Sequence, residues 1–253
     1  MSFVTVQGRR IEYEFIEGSG RNKPTIVFLH EGLGSIAMWK DFPARVVEAT
    51  GCKALVYSRY GYGQSDALSA ARRVDYMHEE AQKALPELLG KLDVQAPVLL
   101  GHSDGGSIAL IRAGASPGAV AGVIAMAPHV MVEDRAIAGI KATKHAYNTS
   151  DLREKLSRYH ASPDSVFRGW SDIWLAPDFR AWNIEEFLPD IACPVLAIQG
   201  EDDEYGTLEQ IDRIARGAAD VELLKLGACG HSPHRDQPHK VISAVKTFID
   251  RMP

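Results

Sequence analysis

The sequence predicts an α/β fold: a mostly parallel sheet with helices on both faces and a helical insertion in the second half of the chain. Three observations carry that expectation. Six short, nearly uninterrupted apolar runs, at 25–29, 53–57, 97–100, 120–127, 194–198 and 221–226, have the composition of strands buried on both faces. The stretches between them place apolar residues at helical spacing. One interval, 129–188, breaks the alternation and keeps helical periodicity throughout.

Taken in order, residues 3–6 and 10–16 flank Gln7-Gly8-Arg9 and read as an antiparallel hairpin at one sheet edge. The runs at 25–29 and 53–57 are the first buried strands. Ala81, Ala84, Leu85, Leu88 and Leu92 then share one helical face ahead of the strand at 97–100. The repeated strand, helix, strand order demands parallel neighbours joined by crossovers. Within 129–188, Ile137, Ile140, Lys144 and Tyr147 lie on one face, followed by Leu152, Leu156 and Tyr159, then Trp170, Trp174 and Trp182. This reads as a small helical cap, dividing the core into 1–128 and 189–253. Its tryptophans either glue the cap to the core or line a pocket, and Trp170 and Trp174 are the candidate substrate contacts. The segment 241–249 is the last helix.

Composition removes several function classes. With 45% hydrophobic and 24% charged residues and no low-complexity tract, the 253 residues can bury one large core, so disorder is excluded. The net charge of −5 is mild and no stripe of Lys and Arg matches a phosphate backbone, which leaves nucleic acid without a docking surface. Cys52, Cys193 and Cys229 are odd in number and lack metal-ligand spacing. They fit reduced thiols in a cytoplasm, with no bridge and no metal. No secretion signal is recognisable, and no stretch approaches the ~20 apolar residues of a membrane span.

The sharpest local signal is Gly101-His102-Ser103-Asp104-Gly105-Gly106, placed directly after one apolar run and opening a helical one. A tight strand-to-helix turn there strains the serine backbone and presents its hydroxyl at the carboxyl edge of the sheet, beside the free amides of a helix start. The competing reading is a simple helix N-cap. A serine hydroxyl needs a base to take its proton. Among nine histidines, His231 stands out in the loop Ala228-Cys229-Gly230-His231-Ser232-Pro233, with His234 as the alternative. A carboxylate must then orient the imidazole. Glu201, Asp202, Asp203 and Glu204 crowd one turn after the strand at 194–198, and spacing alone does not choose among them.

In this order, the motifs resemble the α/β-hydrolase superfamily over nearly the whole chain. The resemblance implies an α/β-hydrolase fold and a nucleophile, acid, histidine sequence. It selects Asp203 as the third residue after Gly200, giving Ser103, Asp203 and His231 as the catalytic set. Pro238 falls where relatives often carry proline. Ser58-Arg59-Tyr60-Gly61-Tyr62-Gly63-Gln64-Ser65 resembles the family's Asp-x-Arg-Gly-x-Gly-x-Ser loop with departures at its start, which makes Ser65 structural. The resemblance further implies two backbone donors to an oxyanion, the N–H groups of Asp104 and Gly32. In the second loop, His30-Glu31-Gly32-Leu33-Gly34, Glu31 stands where glycine is usual, and a shift by one residue would make Leu33 the donor. Asp104 replaces a residue that is apolar in many relatives. Its carboxylate is expected to do no more than stabilise the helix start; the sharper reading has Asp104 or Glu31 touch a polar substrate group.

These residues predict a serine hydrolase that cleaves a small carboxylic ester or thioester through an acyl-enzyme, with no cofactor. Similarity in length and cap placement to ring-cleavage-product hydrolases implies an alternative, hydrolysis of a carbon–carbon bond in a small diketone-like acid. Cofactor-free perhydrolysis and a non-catalytic ligand receptor are further readings. The segment 129–188 has eight basic and nine acidic residues, so it shows no preference for anions, and its aromatic content points to an apolar or aromatic acyl group. Monomer and homodimer are both left open.

Overall fold

A computed structural model describes residues 1–20 and 23–252. Eight strands form one sheet: β1 Ser2–Val6, β2 Arg9–Ile16, β3 Ile26–Leu29, β4 Ala54–Tyr57, β5 Val98–His102, β6 Gly122–Met126, β7 Val195–Gly200 and β8 Val221–Leu226. Their order across the sheet is β1-β2-β4-β3-β5-β6-β7-β8. The first three are joined by antiparallel pairs, β1 to β2 and β2 to β4, and every other pair is parallel. β3 to β7 are buried along their whole length, which is why they read as continuous apolar runs rather than alternating ones. β8, at the edge, is only partly buried, with Glu222 and Lys225 exposed.

The helices are α1 Phe42–Thr50, α2 Tyr76–Glu79, α3 Leu85–Lys91, α4 Asp104–Ala115, α5 Asp134–Thr149, α6 Leu152–Ser157, α7 Pro163–Trp174, α8 Glu209–Gly217, α9 Pro233–Asp236 and α10 Pro238–Arg251. One apolar layer packs α1 and α10 against a sheet face through Phe42, Val46, Val241, Val245 and Phe248. The other face carries α3, α4 and α8 through Leu85, Leu88, Ile108, Ile111, Ile211 and Ile214. The single helix expected over 81–92 instead begins at Tyr76 and passes through a π-helical turn, Glu80–Ala84, before α3. Pro86 gives the reason: it has no N–H for the carbonyl of Gln82, and its ring would strike that carbonyl, so the preceding turn widens.

α5, α6 and α7 are inserted between β6 and β7. The insertion is closed at its root, where Met131 bridges Asn183 and the Ile184 amide donates to the Val130 carbonyl at 2.9 Å. The chain places β4 on one side of β3 and β5 on the other. Strand order therefore reverses between β3 and β5, and the loops leaving their carboxyl ends diverge to form a crevice. Ser103 follows β5 and the loop of Gly32 follows β3, so both stand at that switch point.

Candidate active site

Ser103 occupies the turn between β5 and α4 with φ 53° and ψ −119°, a conformation costly for any residue with a Cβ. Two close approaches maintain it. A Cβ on Gly101 would run into the carbonyl of Gly105, and a Cβ on Gly105 would run into the carbonyl of Leu29. The Ser103 amide donates to Met126 O at 2.9 Å, tying the turn to β6. Its side chain makes no cap bond to α4, so the N-cap reading does not describe its hydroxyl. That hydroxyl is 2.9 Å from His231 Nε2.

His231 lies between β8 and α9. Its Nδ1 is 2.9 Å from both carboxylate oxygens of Asp203, and its amide donates to Glu204 at 3.1 Å. Asp203 is fully buried and well supplied with donors: the amides of Tyr205 at 2.8 Å and Gly206 at 3.1 Å, and the Gln199 side chain at 2.5 Å. The Asp203 carbonyl in turn accepts from Arg135 on α5 at 2.7 Å. Burial opposes charge on His231, but the hydrogen bond and charge of Asp203, aided by Glu204 and Glu31, outweigh it and raise the imidazole pKa above its usual value. The same bonds, against burial, hold Asp203 below the usual carboxylate range. Of the other acids in that turn, Glu201 and Asp202 are exposed. His234, the alternative base, lies elsewhere, its ring against Trp39, Phe42 and His102.

Other histidines support the loops. His102 Nε2 donates to the carbonyl of His231 at 2.6 Å, so the residue before Ser103 fixes the backbone of the residue that faces Ser103. His102 Nδ1 is 3.5 Å from the Glu31 carboxylate, and this close contact helps hold Glu31 far below the usual range in spite of burial. His129, after β6, lies between the rings of Trp174 and His231. Burial, reinforced by His231, pushes its pKa down to about 4, so it is neutral at pH 7.

Around Gly32, the Glu31 carbonyl accepts three hydrogen bonds: from His30 Nδ1 at 2.7 Å, Gly34 N at 3.0 Å and Arg59 Nη2 at 3.0 Å. The Leu33 carbonyl is held by His160 of the insertion at 2.8 Å. Trp170 of α7 packs directly on Gly32, where a Cβ would collide with its indole, and borders Tyr205 on the other side. Trp174 lies one layer back. It is 1% exposed, and its indole N–H donates to the Tyr76 hydroxyl at 3.1 Å. Tyr76 donates to the Asp104 carboxylate at 2.7 Å, and Arg59 stands 3.7 Å from the same oxygen. Asp104 therefore has buried partners and is more than a charge at a helix start. Ser65 bridges Glu12 N at 2.9 Å and Ser58 O at 2.7 Å, a structural use of its hydroxyl.

Sequence reasoning missed Arg59, Tyr76, His102 and His160. Asp104 was the available signal for the first of these, because a buried carboxylate requires a cation or donors and Arg59 occupies the neighbouring loop at the same sheet edge. Outside the site, a cleft of about 370 Å³ separates α7 from the loop 68–72, with Arg168 and Asp172 on one wall and Arg72 on the other. Among the described residues no group of three or more His, Cys, Asp or Glu is arranged to hold a metal, and no helix is long and apolar enough to cross a membrane.

The sheet order, the strained serine turn after β5 and the loop after β3 define an α/β hydrolase. The alpha/beta hydrolase family model matches residues 26–244, and the chain belongs to that family. A zebrafish (Danio rerio) protein described as an sn-1-specific diacylglycerol lipase is 25% identical, the match covering 98% of this chain and 85% of that one. A 2-hydroxy-6-oxononadienedioate/2-hydroxy-6-oxononatrienedioate hydrolase of Cupriavidus pinatubonensis is 26% identical over 90% of this chain and 88% of its own. In three dimensions, an esterase from Exiguobacterium antarcticum superposes with a TM-score of 0.78 at 22% identity, covering 98% and 99% of the two chains. A meta-cleavage product hydrolase from Pseudomonas fluorescens gives the same score at 15% identity, covering 100% and 98%.

Proposed function

We propose that the protein is a serine hydrolase acting on a small carboxylic ester or thioester, with Ser103 as nucleophile, His231 as general base and Asp203 as the carboxylate that orients and charges the imidazole. The observation that carries this reading is the unbroken row from Asp203 through His231 to Ser103, with 2.9 Å at each link. Its ends are fixed by β7, β8 and the strained turn after β5. In the first half-reaction Ser103 Oγ bonds to the acyl carbon, its proton passes to His231 Nε2, and the carbonyl electron pair moves onto oxygen. The leaving group then departs with that proton. In the second half-reaction a water replaces the alcohol or thiol.

The developing oxyanion is assigned to the N–H groups of Asp104, the first residue of α4 with no helical carbonyl to bond, and of Gly32. Trp170 forms the nearest apolar wall for the acyl group, backed by Trp174, with the inserted helices acting as a cap. The substrate is a small molecule, and a cytoplasmic setting accompanies the reading because the three cysteines are unpaired and buried. The carbon–carbon hydrolase reading rests on the curated relatives. p-Nitrophenyl esters of increasing acyl length provide the test. Native protein is expected to turn over the shorter esters and Ser103→Ala to lose at least about 10³-fold in kcat. Equal turnover by both proteins, or by neither, contradicts the ester reading.

A further inference from the structure

We propose that Arg59 is a positioning residue for the oxyanion hole, a buried cation that holds together the two peptide segments on which the donors sit. The inference rests on the reading of Ser103 as nucleophile.

Arg59 is 1% exposed and belongs to the loop after β4, which touches no reacting atom. Its Nη2 donates to the carbonyls of His30 at 3.2 Å and Glu31 at 3.0 Å. Its own amide donates to His30 Nε2 at 3.0 Å. That bond makes Nε2 an acceptor and puts the imidazole proton on Nδ1, where it meets the Glu31 carbonyl. Burial and the Arg59 charge keep His30 neutral, as this tautomer requires.

A trans peptide is planar with its C=O and N–H opposed. A Glu31 carbonyl turned toward Arg59 therefore turns the Gly32 N–H away from it, to the side an oxyanion would occupy. The second donor is handled from the other end of the guanidinium. Asp104, whose N–H is the other donor, places its fully buried carboxylate 3.7 Å from Arg59 and accepts from Tyr76. One side chain thus sets the orientation of one donor peptide and anchors the residue that carries the other. Trp174, through Tyr76, extends the same chain of contacts to the insertion.

The pair also accounts for Asp104, the acid that stands where many relatives carry an apolar residue. An arginine at the start of the loop 58–65 and an acid after the nucleophile are each costly in a buried place without the other. Apolar residues at both positions would fill the space without directing the Glu31 carbonyl.

The test removes both charges together, Arg59→Met with Asp104→Leu, so that no buried ion is left alone and the fold is retained. First, a fluorophosphonate probe that labels serine nucleophiles is applied to native protein. Failure to label Ser103 sinks the nucleophile reading itself, separately from the role of Arg59. With labelling established, the double variant is expected to lose about 10² in kcat, the scale of one oxyanion donor, while KM moves less than about threefold. Affinity for a trifluoromethyl ketone, which Ser103 attacks to give a hemiketal oxyanion, should weaken by the same factor as kcat. A merely structural role would not produce that proportionality. A double variant with kcat within about twofold of native, or one that loses kcat and keeps its ketone affinity, overturns the proposal. If the double variant does not fold, Arg59→Gln, which keeps an N–H donor but is too short to span both carbonyls, takes its place. The same proportional loss of kcat and ketone affinity then supports the proposal, and an unchanged kcat or an unchanged ketone affinity overturns it.

Discussion

The two sides of Ser103 satisfy buried charge in different ways. Toward His231, both oxygens of Asp203 are engaged, by two amides, one side-chain amide and the imidazole, all at hydrogen-bond distance. Toward Gly32, Arg59 and Asp104 stand 3.7 Å apart, and Arg59 Nε and Asp104 Oδ1 are buried with no partner among the described residues. In the proposed mechanism the first arrangement directs the proton acceptor. The second is a looser ion pair whose use lies in the backbone groups it orients. A charge in a low-dielectric interior is tolerated when its donors are complete, and where they are incomplete it becomes sensitive to the removal of either partner.

The largest effect is expected on the directed side. Asp203→Asn places an amide donor where an acceptor stood, which flips the imidazole so that Nε2 carries the proton and cannot take one from Ser103. The loss in kcat/KM should be on the order of 10³ to 10⁴, read from steady-state rates at constant pH. A loss of only a few-fold would mean that one of the neighbouring acids orients His231 instead.

The looser side should register first in stability. Asp104→Ala leaves the Arg59 guanidinium buried without its counterion, and a destabilisation of about 3–5 kcal/mol is expected in urea unfolding. Removing both partners together should be neutral or stabilising. If Asp104→Ala costs no more than an exposed charge, the comparison between the two sides fails.

The smallest effect concerns pH and joins the two sides. His231 must be neutral to accept the serine proton, and its pKa is raised, so kcat/KM should climb with pH through a midpoint above about 6.5. The contribution of the raised His231 to stability has the opposite sense. It is complete below the unfolded pKa and is lost as pH rises through the folded one. Glu31, on the Gly32 loop, adds to the raising of His231, so Glu31→Gln should move the activity midpoint to lower pH. An unmoved midpoint would uncouple Glu31 from the base.

The fold could be read from the chain because buried parallel strands write themselves as apolar runs, and the switch point follows from their order. The serine turn was equally legible, since Gly101 and Gly105 are demanded by local backbone contacts that any such turn must make. What could not be read were side-chain partners brought together from distant segments. His160 reaches Leu33 across 127 residues, and Trp174 reaches Tyr76 across 98. No periodicity encodes such pairs. Asp104 was visible as an oddity, yet its reading as a helix-start charge failed because burial, which decides between a solvated acid and an ion pair, is a tertiary property. The π-helical turn ahead of Pro86 was hidden for a simpler reason: the apolar spacing on either side remains compatible with one continuous helix.

The most direct test of the central claim is acid-quench mass spectrometry of the native protein mixed with p-nitrophenyl butyrate, followed by peptide mapping. The account predicts a transient butyryl group on the peptide containing Ser103. That adduct should persist longer in Asp203→Asn, where deacylation lacks a correctly oriented base, and be absent in Ser103→Ala. Ester turnover with no acylated peptide, or a butyryl group carried on another residue, would contradict the assignment of Ser103 as the nucleophile.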